Sequence, residues 1–447
     1  MGVYLLVDFG ATRIKTALTG GPSWRINHIR VFQPPPGCSP GPGRYEIPPE
    51  ALRRLFNKIC RHYQKLSATP IKGILMCSQM HGFLLTDSKD RALTPYISWR
   101  DERSLFSVRG MRVFERVCAP DAPDFRGITG MRPRPGLPFM NAIHVARENR
   151  LKGVLKVVTL PEWLAGCDGE SDRRIHPTMA AGLGFFDIAG NKFSDALCAM
   201  ARDLSGAAFA FNKTGSEGDV AGWRGPGSAR IPIFTGVGDH PCAVLGAGNQ
   251  PKETLSVNIG TGSQAAVIEG KRTRKAELRP YFGGSMLSTI THIPAGRALE
   301  TFLAWIPDPW RAMSALTCRD ILDSTLEIDL ALFKSAWNYD GGGKISAIGE
   351  GSINMRNYLG SLLRCLLERE AEALDVIADR SRRQRVILSG GIPRRLPVMA
   401  AVLAGLTGRP VAGAASVDET LLGLRLLARA VAGEAPPDSR TAGAGKQ

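Results

Sequence analysis

Three times along the chain, an apolar strand pattern runs directly into a glycine-rich turn. The three segments are VDFGAT at residues 7–12, NIGTGS at 258–263 and LSGGIP at 388–393. Glycine lets backbone N–H groups approach phosphate oxygens because no side chain stands in the way. No exact repeat is present, yet each half of the chain begins with a strand, a glycine turn and a hairpin. The pattern therefore predicts two similar α/β domains, each a mixed sheet flanked by helices.

The length of the chain agrees with two domains, because 447 residues exceed what one hydrophobic core usually supports. The segment GAGNQPKE, at residues 246–253, separates two strongly apolar stretches and sets the predicted boundary. We expect an N-terminal domain over residues 1–250, a C-terminal domain over 251–433 and a flexible tail over 434–447. The helical spacing of apolar residues predicts helices over Ala51–Gln64 and Arg356–Arg380.

The charge of the chain raises the question of a nucleic-acid partner, since the net charge is +16. The basic residues are mostly single arginines, and the densest run, Arg380–Arg385, reads as a solvated helix end near an anion. We therefore expect no specific nucleic-acid partner.

The cysteines and the hydropathy indicate the compartment. The nine cysteines are scattered and never form a C-x-x-C pair, which argues for a reducing cytoplasm and against a disulfide framework or a zinc site. No apolar run is long enough to span a bilayer, so we expect a cytoplasmic protein without a membrane partner.

The first glycine turn carries candidate ligands for a metal ion and a phosphate. Asp8 ends the first strand, where its carboxylate could hold Mg²⁺ through water or simply cap the turn. Thr12 could donate to a phosphate, and Lys15 could face a phosphate or the solvent. Neither the P-loop pattern nor a complete G-x-G-x-x-G fingerprint is present, so the classes of site that these motifs mark are disfavoured.

A second candidate carboxylate is Asp239, which lies in the segment VGDHPCAVLGAG. A glycine-rich lead-in, an acidic residue and a helix of small residues place this carboxylate near a helix N-terminus. Asp239 could accept a proton from a substrate there, or it could act as an ordinary N-cap. Its neighbour His240 is more often a packing residue than a ligand.

Two polar clusters follow predicted strands and suit sugar binding. The segment QMHG, residues 79–82, ends one strand, and WRDER, residues 99–103, follows another. Sugar sites pair aromatic faces with carboxylates and basic donors, because C–H faces need stacking and hydroxyls need both donors and acceptors. Each cluster alone is ambiguous, and His81 could be a satisfied interior histidine.

Taken together, these motifs resemble the FGGY carbohydrate kinases of the actin/hexokinase superfamily, particularly the xylulokinase and sedoheptulokinase branches. The similarity covers nearly the whole chain, and the order and spacing of the motifs agree throughout. The segments that carry it are VDFGATRIK, SQMHGFLLTD, ISWRDERS, ITGMRPRPGLPFMN, VGDHPCAVLGAG, NIGTGSQAAV and LSGGIPRR. The resemblance implies two actin/hexokinase-like (ribonuclease H-like) domains with a cleft between them, sugar on the first domain and nucleotide on the second.

The resemblance also implies a role for each site residue. Asp239 would be the general base, and Asp8 would hold Mg²⁺. The residues expected to bind the sugar are Met80, His81, Trp99, Asp101 and Arg103. The residues expected at the phosphates and adenosine of ATP are Gly10, Thr12, Lys15, Gly260, Thr261, Gly262, Gly390 and Gly391.

The sequence departs from the family pattern at several positions. Ala11 replaces the usual threonine, Arg100 the usual asparagine and Ser78 a glycine. The stretch Pro294–Gly296 replaces an asparagine-containing segment. These departures bear on the identity of the sugar.

The leading hypothesis is an ATP-dependent kinase of a ketose such as D-xylulose or D-sedoheptulose, with Mg-ATP as the donor. Its partners would be the sugar and ATP, and we expect a monomer or a homodimer. The alternative is a non-catalytic actin-fold protein, a sugar-responsive regulator or a scaffold. The retention of Asp8, Asp239 and the glycine motifs favours the kinase, because a regulator need not keep a base.

Overall fold

The computed structural model describes residues 2–166, 172–225, 227, 230–269, 273–333, 336–413 and 418–434. The chain forms two compact units. Unit 1 contains the chain up to Gly246, the segment Arg279–Gly284 and the segment that starts at Thr420. Unit 2 contains Ala247–Leu278 and Ser285–Glu419. The domain limits expected from the sequence stay a prediction, and the expected tail, 434–447, lies outside the described residues apart from Glu434.

Unit 1 is built on a sheet in which seven strands take part among the described residues. Their spatial order is Val220–Arg224, Ile231–Phe234, Ile71–Ser78, Val3–Phe9, Ile14–Gly20 and Asn27–Phe32, with Val237–Gly238 also paired to Ile71–Ser78. Val3–Phe9 runs antiparallel to Ile14–Gly20 and parallel to Ile71–Ser78. Residues 5–9 are buried, as expected for a strand with both faces covered.

The helix Pro49–Leu66 covers one face of this sheet. Its proline at the first turn suits a helix start, because that N–H has no intrahelical partner in any case. Its buried face consists of apolar side chains at helical spacing, namely Leu52, Phe56, Ile59, Cys60 and Tyr63. The helix expected over Ala51–Gln64 is confirmed, with one more half-turn at each end.

The remaining elements of unit 1 are shorter. The described helices are Val113–Val117, Phe125–Thr129, Pro138–Glu148, Leu160–Ala165, Pro177–Gly182, Asp195–Ser205 and Asp239–Gly246, with single 3₁₀ turns at Arg103–Leu105 and Phe282–Gly284. The short strands are Glu46–Ile47, Leu84–Thr86, Tyr96–Ile97, Ser107–Val108, Met111–Arg112, Val154–Val158, Arg174–Ile175, Phe186–Asp187, Lys192–Phe193, Ala208–Ala210 and Lys213–Thr214.

Unit 2 repeats the central arrangement. The sheet strands that lie wholly within it are, in spatial order, Met286–Ile293, Ser263–Ile268, Thr254–Ile259, Arg385–Ser389 and Val411–Gly413. As in unit 1, a strand, a glycine turn and an antiparallel return strand are followed by a parallel neighbour. The recurrence expected from the three glycine turns is therefore present in the topology of both sheets.

The core of unit 2 centres on the helix Met355–Ile377. Its first turn is capped by Asn354, whose side chain accepts a hydrogen bond from the Asn357 amide. The helix expected over Arg356–Arg380 is confirmed, although it ends three residues earlier. The other described elements are the helices Gly296–Leu303, Pro309–Ser314, Cys318–Leu322, Gly391–Arg395 and Val398–Thr407, the strands Glu327–Asp329 and Lys344–Ser346, and two elements that cross the unit limits, Glu277–Pro280 and Glu419–Val431.

No helix in the described part of the chain is both long enough and apolar enough to cross a membrane.

Candidate active site

Three neighbouring strands of unit 1 bring the candidate acidic and sugar-binding residues together. Val3–Phe9 and Val237–Gly238 each run parallel to Ile71–Ser78. Asp8 lies opposite Cys77 in the register, and Val237 and Gly238 lie opposite Cys77 and Ser78. Because parallel strands end at the same edge, Asp8, residues 79–81 and Asp239 converge there.

The carboxylate of Asp8 is buried and held by side chains from three parts of unit 1. The Thr420 hydroxyl donates to Asp8 Oδ2 at 2.7 Å, and Lys15 Nζ lies 3.4 Å from the same oxygen. The Cys77 thiol donates to Asp8 Oδ1 at 3.5 Å. Asp8 is 3% exposed, so these contacts replace much of its hydration.

Asp239 begins the helix Asp239–Gly246, and its Oδ1 accepts a hydrogen bond of 2.8 Å from the His240 amide. Loss of hydration raises the pKa of Asp239 from 3.8 to about 7, and the negative charge of Asp8 adds to that shift. The His240 amide and the positive charge of Lys15 oppose it. A carboxylate whose pKa lies near neutrality is suited to accept and release a proton.

Met80 and His81 directly follow the strand Ile71–Ser78 and Gln79, and their contact with a sugar stays a prediction. The Met80 side chain packs on Gly238, where an added Cβ would come within 2.9 Å of its sulfur. His81 Nδ1 lies 2.8 Å from the Gly182 carbonyl oxygen, so Nδ1 carries the proton and donates to it. This hydrogen bond fixes the orientation of the imidazole.

Buried polar atoms without a partner among the described residues surround the same edge. They belong to three side chains, namely Gln79 (Oε1), Tyr96 (Oη) and His240 (Nε2). Burial and the negative charge of Asp239 raise the pKa of Tyr96, so its hydroxyl keeps its proton. Burial lowers the pKa of His240 to about 3, with the charge of Arg279 adding to the shift, so this imidazole is neutral. Buried polar groups usually have partners, and a ligand with several hydroxyls would supply them.

Trp99 and Arg100 are exposed, with Trp99 at 38%. The Arg100 guanidinium lies 4.2 Å from the centre of the Tyr45 ring, a cation–π contact that directs it along the surface. The Trp99 ring therefore remains accessible for stacking.

Asp101 and Arg103 form a buried ion pair. Arg103 donates from Nε to Asp101 Oδ1 at 2.8 Å and from Nη2 to Oδ2 at 2.7 Å, and Nη2 also lies 2.6 Å from Glu46 Oε1. Asp101 also accepts from the Tyr45 amide at 2.8 Å and is 0% exposed. Direct contact of this pair with a sugar stays a prediction. The geometry supports a scaffolding role, in which the pair fixes the loop that presents Trp99.

The first glycine turn is tight. A Cβ on Gly10 would lie 2.6 Å from the Arg13 carbonyl oxygen, so the close return of the backbone requires glycine. Thr12 is exposed in this turn, and its contact with a phosphate stays a prediction.

In unit 2, the turn Gly260–Gly262 joins two antiparallel strands and is held from outside by the segment that departs from the family pattern. The Gly296 and Arg297 amides donate to the Gly260 and Thr261 carbonyls at 3.1 and 2.8 Å. A Cβ on Gly296 would lie 2.5 Å from the Gly260 oxygen. Thr261 and Gly262 are exposed, which leaves this part of the turn accessible to an anion.

Gly390 and Gly391 follow the parallel neighbour strand of the same sheet. Gly390 has a φ of 104°, and an added Cβ would lie 2.3 Å from the Ile259 oxygen. Gly391 is exposed, with nothing within 4 Å of an added Cβ. Gly390 thus allows the strand end to pack against the first glycine turn of unit 2, and Gly391 presents an accessible backbone surface.

A second group of possible metal ligands lies in unit 2, but its two carboxylates are paired with an arginine. Glu327, Cys365 and Glu368 place ligand atoms within 4.8 Å of one another. However, Arg364 donates to Glu327 at 3.0 Å and to Glu368 at 2.8 Å. The guanidinium therefore takes the place that a cation would fill.

Sequence reasoning missed Thr420 and the partnerless atoms of Tyr96 and His240. Thr420 lies 412 residues from Asp8, and nothing in the local pattern distinguishes it from other helix-start threonines. Tyr96 lies in a two-residue strand that pairs with Glu46–Ile47, a contact between distant segments. These contacts could be found only from the folded chain.

Comparison with known proteins shows the family to which the chain belongs. A model of the N-terminal domain of the FGGY family of carbohydrate kinases matches residues 3–246. The chain belongs to the FGGY family of carbohydrate kinases. The matched region includes Asp8, Met80, His81 and Asp239, and the resemblance that the motifs indicated is confirmed.

Two curated relatives of this FGGY family member are xylulose kinases. The one from Escherichia coli strain K12 is 29% identical over 215 residues, which is 46% of this chain and 42% of the relative. The one from Klebsiella pneumoniae is 29% identical over 212 residues, which is 45% of this chain and 41% of the relative. The aligned region thus spans less than half of either relative.

Solved structures of sugar kinases share the fold over nearly the whole chain. A xyloylose kinase from Brucella ovis superposes with a TM-score of 0.80 at 20% identity, covering 97% of this chain and 91% of that chain. A ligand-bound xylulose kinase from Lactobacillus acidophilus gives 0.83 at 15% identity, covering 100% and 92%. The predicted fold class, two α/β domains of the actin/hexokinase type, is confirmed.

Proposed function

We propose that this FGGY family member transfers a phosphoryl group from ATP to a hydroxyl of a small ketose such as D-xylulose or D-sedoheptulose. The observation that carries the proposal is Asp239, a carboxylate with a pKa of about 7 at the strand edge that also presents Met80 and His81. Phosphoryl transfer to an alcohol needs positioned groups and a base for the hydroxyl proton.

Several residues of unit 1 have separate roles in binding the acceptor. Asp239 accepts the proton of the attacking hydroxyl, and its raised pKa brings proton affinity close to that needed at neutral pH. Met80 packs beside it as an apolar wall, and His81 is oriented by the Gly182 carbonyl to meet a hydroxyl. The neutral imidazole of His240 and the Tyr96 hydroxyl suit an uncharged polyol better than a sugar acid.

The residues present also fit magnesium and a nucleotide. Asp8 supplies carboxylate oxygen atoms, which Mg²⁺ prefers, and a cation there would relieve the repulsion between Asp8 and Asp239. Thr261, Gly262 and Gly391 present exposed backbone, as a phosphate or nucleotide contact requires. When bound, Mg-ATP supplies the phosphoryl group and neutralises its charge. Asp8 would hold the metal, and Lys15 would lie at the phosphates.

The identity of the acceptor rests on the two xylulose kinase relatives and on the uncharged groups around Asp239. A site with several buried polar atoms rejects analogues that leave them unpaired, by factors of up to about 10⁴–10⁵. We expect the highest kcat/KM with D-xylulose or D-sedoheptulose among six acceptors, the others being glycerol, erythritol, L-ribulose and L-fuculose. A coupled assay of ADP release measures each value.

The outcomes of this assay separate the alternatives. A maximum with glycerol or erythritol would refute the ketose while leaving a kinase. Sugar binding seen by thermal shift, with no ADP release for any acceptor, would instead support a sugar-responsive regulator. Asp239→Asn should lower turnover by about 10²–10⁴ while ATP affinity stays near wild type, and a variant with near-normal turnover would remove Asp239 from the role of base.

A further inference from the structure

The last described helix spans Glu419–Val431, and its residues from Thr420 onward belong to unit 1. The Thr420 hydroxyl donates to Asp8 Oδ2 at 2.7 Å, the shortest of the contacts described above for that carboxylate. Hydrogen bonds to a buried carboxylate fix its rotation as well as its charge, because hydroxyl donors are directional. The ion pair with Lys15, at 3.4 Å, is longer and less directional.

The same helix also contacts the segment that bears Asp239. The Thr420 carbonyl accepts from the Cys242 thiol at 3.4 Å, and Cys242 lies three residues after Asp239. Gly423 packs against this residue so closely that an added Cβ would lie 2.1 Å from the Cys242 oxygen. Farther along the chain, the Trp24 indole donates to Glu434. Thr420 is therefore held in place at the site by its own carbonyl contact and by the contacts of residues that follow it.

We propose that Thr420 is a positioning residue, which orients the Asp8 carboxylate for the metal ion of the nucleotide. The proposal rests on the proposed function, in which Asp8 holds Mg²⁺. Without the hydroxyl, the Asp8 carboxylate loses the shortest of the contacts described above, so its rotation about the Cβ–Cγ bond is less restricted. Loss of such an outer contact typically lowers metal affinity or activity by about 10–100-fold.

The test compares Thr420→Val, which removes the hydroxyl at nearly constant volume, with Thr420→Ser, which keeps it. Thr19→Val is the matched control, because the Thr19 hydroxyl also donates a hydrogen bond, at 2.9 Å, but to the Trp24 carbonyl. The probe is the nucleotide analogue AMP-PNP, titrated calorimetrically into the full chain with Mn²⁺ and again with EDTA. The dissociation constant in EDTA divided by that with Mn²⁺ measures the metal-dependent part of binding, without turnover.

We expect Thr420→Val to lower this ratio by about 10–100-fold while its affinity in EDTA stays near wild type. Thr420→Ser and Thr19→Val should keep the wild-type ratio. A merely structural role would change the melting temperature or the affinity in EDTA and leave the ratio unaltered, and this result would overturn the proposal. So would a wild-type ratio of one.

The same measurements distinguish this proposal from the proposed function. If wild-type protein shows metal-dependent binding that Thr420→Val weakens, but releases no ADP with any acceptor, the kinase assignment fails and the role of Thr420 stands. If wild-type protein is an active kinase and Thr420→Val keeps its ratio, the role of Thr420 fails alone.

Discussion

Asp8 lies on the strand Val3–Phe9 and Asp239 directly follows Val237–Gly238, two strands that both pair with Ile71–Ser78, and the charge of Asp8 helps to raise the pKa of Asp239 to about 7. The relationship is one of like charges brought together by topology. Both strands end at the same edge of the sheet, so the backbone pairing keeps the two carboxylates close together. The fold thus sets the proton affinity of the candidate base.

The first prediction concerns the pH dependence of turnover. Asp239 must be ionised to accept a proton, and its pKa is about 7. We therefore expect kcat/KM to fall about tenfold per pH unit below that value and to level off above it. Lys15 lowers the pKa of Asp239, so Lys15→Met should move the acidic limb to higher pH.

Lys72→Met is the matched control for this shift, because Lys72 is exposed on the neighbouring strand and its side chain lies near Gly2 rather than the site. The position of the acidic limb is given by its apparent pKa. Lower absolute rates in a variant therefore do not affect the comparison. Identical limbs for Lys15→Met and wild type would contradict the assignment of the limb to Asp239.

The second prediction concerns stability. The folded pKa of Asp239, about 7, lies above its ordinary value of 3.8, so the folded state binds this proton more tightly. Its destabilising effect is therefore absent below pH 3.8, grows as pH rises, and is complete above pH 7. The full cost is on the order of 4 kcal/mol, reduced by residual solvent exposure.

Asp239→Asn should consequently melt at a higher temperature than wild type at pH 8, with the difference shrinking towards pH 4. Thermal unfolding of both proteins across this range, followed by circular dichroism, measures the difference. A constant difference in melting temperature at all pH values would show that the pKa of Asp239 is not raised in the folded state.

Much of the site was predictable because it follows local pattern. Asp8, Met80, His81 and Asp239 each come at or directly after a strand end, and the carboxyl ends of parallel strands meet at one edge. The glycine turns were predictable for a related reason. A glycine after an apolar strand indicates close backbone approach, and the clashes expected at Gly10 and Gly390 are of that kind.

The rest depends on contacts between distant segments. No local pattern shows that Thr420 returns to Asp8, or that the segment Arg279–Gly284 joins unit 1. Asp101 and Arg103 have the composition of a sugar-binding pair, and only the folded chain shows that they bind each other. The sequence shows which groups are present, whereas burial decides which remain accessible to a ligand.

The third prediction distinguishes two roles of Arg103, as a member of a buried ion pair and as a direct ligand of the sugar. If its main role is the buried ion pair, Arg103→Met leaves Asp101 and Glu46 without their cation and should destabilise the protein by about 3–5 kcal/mol. KM for the sugar should change little in the protein that remains folded. Urea unfolding and sugar kinetics at low temperature measure both quantities. A normal unfolding midpoint with a raised KM would restore Arg103 as a direct sugar ligand.

The last prediction concerns the two glycines that follow the strand Arg385–Ser389. Gly390 has a φ of 104°, and an alanine Cβ there would lie 2.3 Å from the Ile259 oxygen, so neither the dihedral angle nor the space allows a side chain. We expect Gly390→Ala to lower the free energy of unfolding by roughly 2–5 kcal/mol, combining backbone strain with overpacking. Gly391→Ala is the control for folding, because an alanine Cβ there has nothing within 4 Å.

Gly391→Ala should therefore unfold at the wild-type urea concentration or slightly above it, since alanine reduces the freedom of the unfolded chain. If Gly391 lies against the adenosine, the added methyl group should still weaken ATP binding, which titration of a fluorescent ATP analogue measures. The adjacent pair thus distinguishes glycine required by the backbone from glycine required by the nucleotide. Wild-type stability of Gly390→Ala would contradict the first requirement, and wild-type ATP affinity of Gly391→Ala would contradict the second.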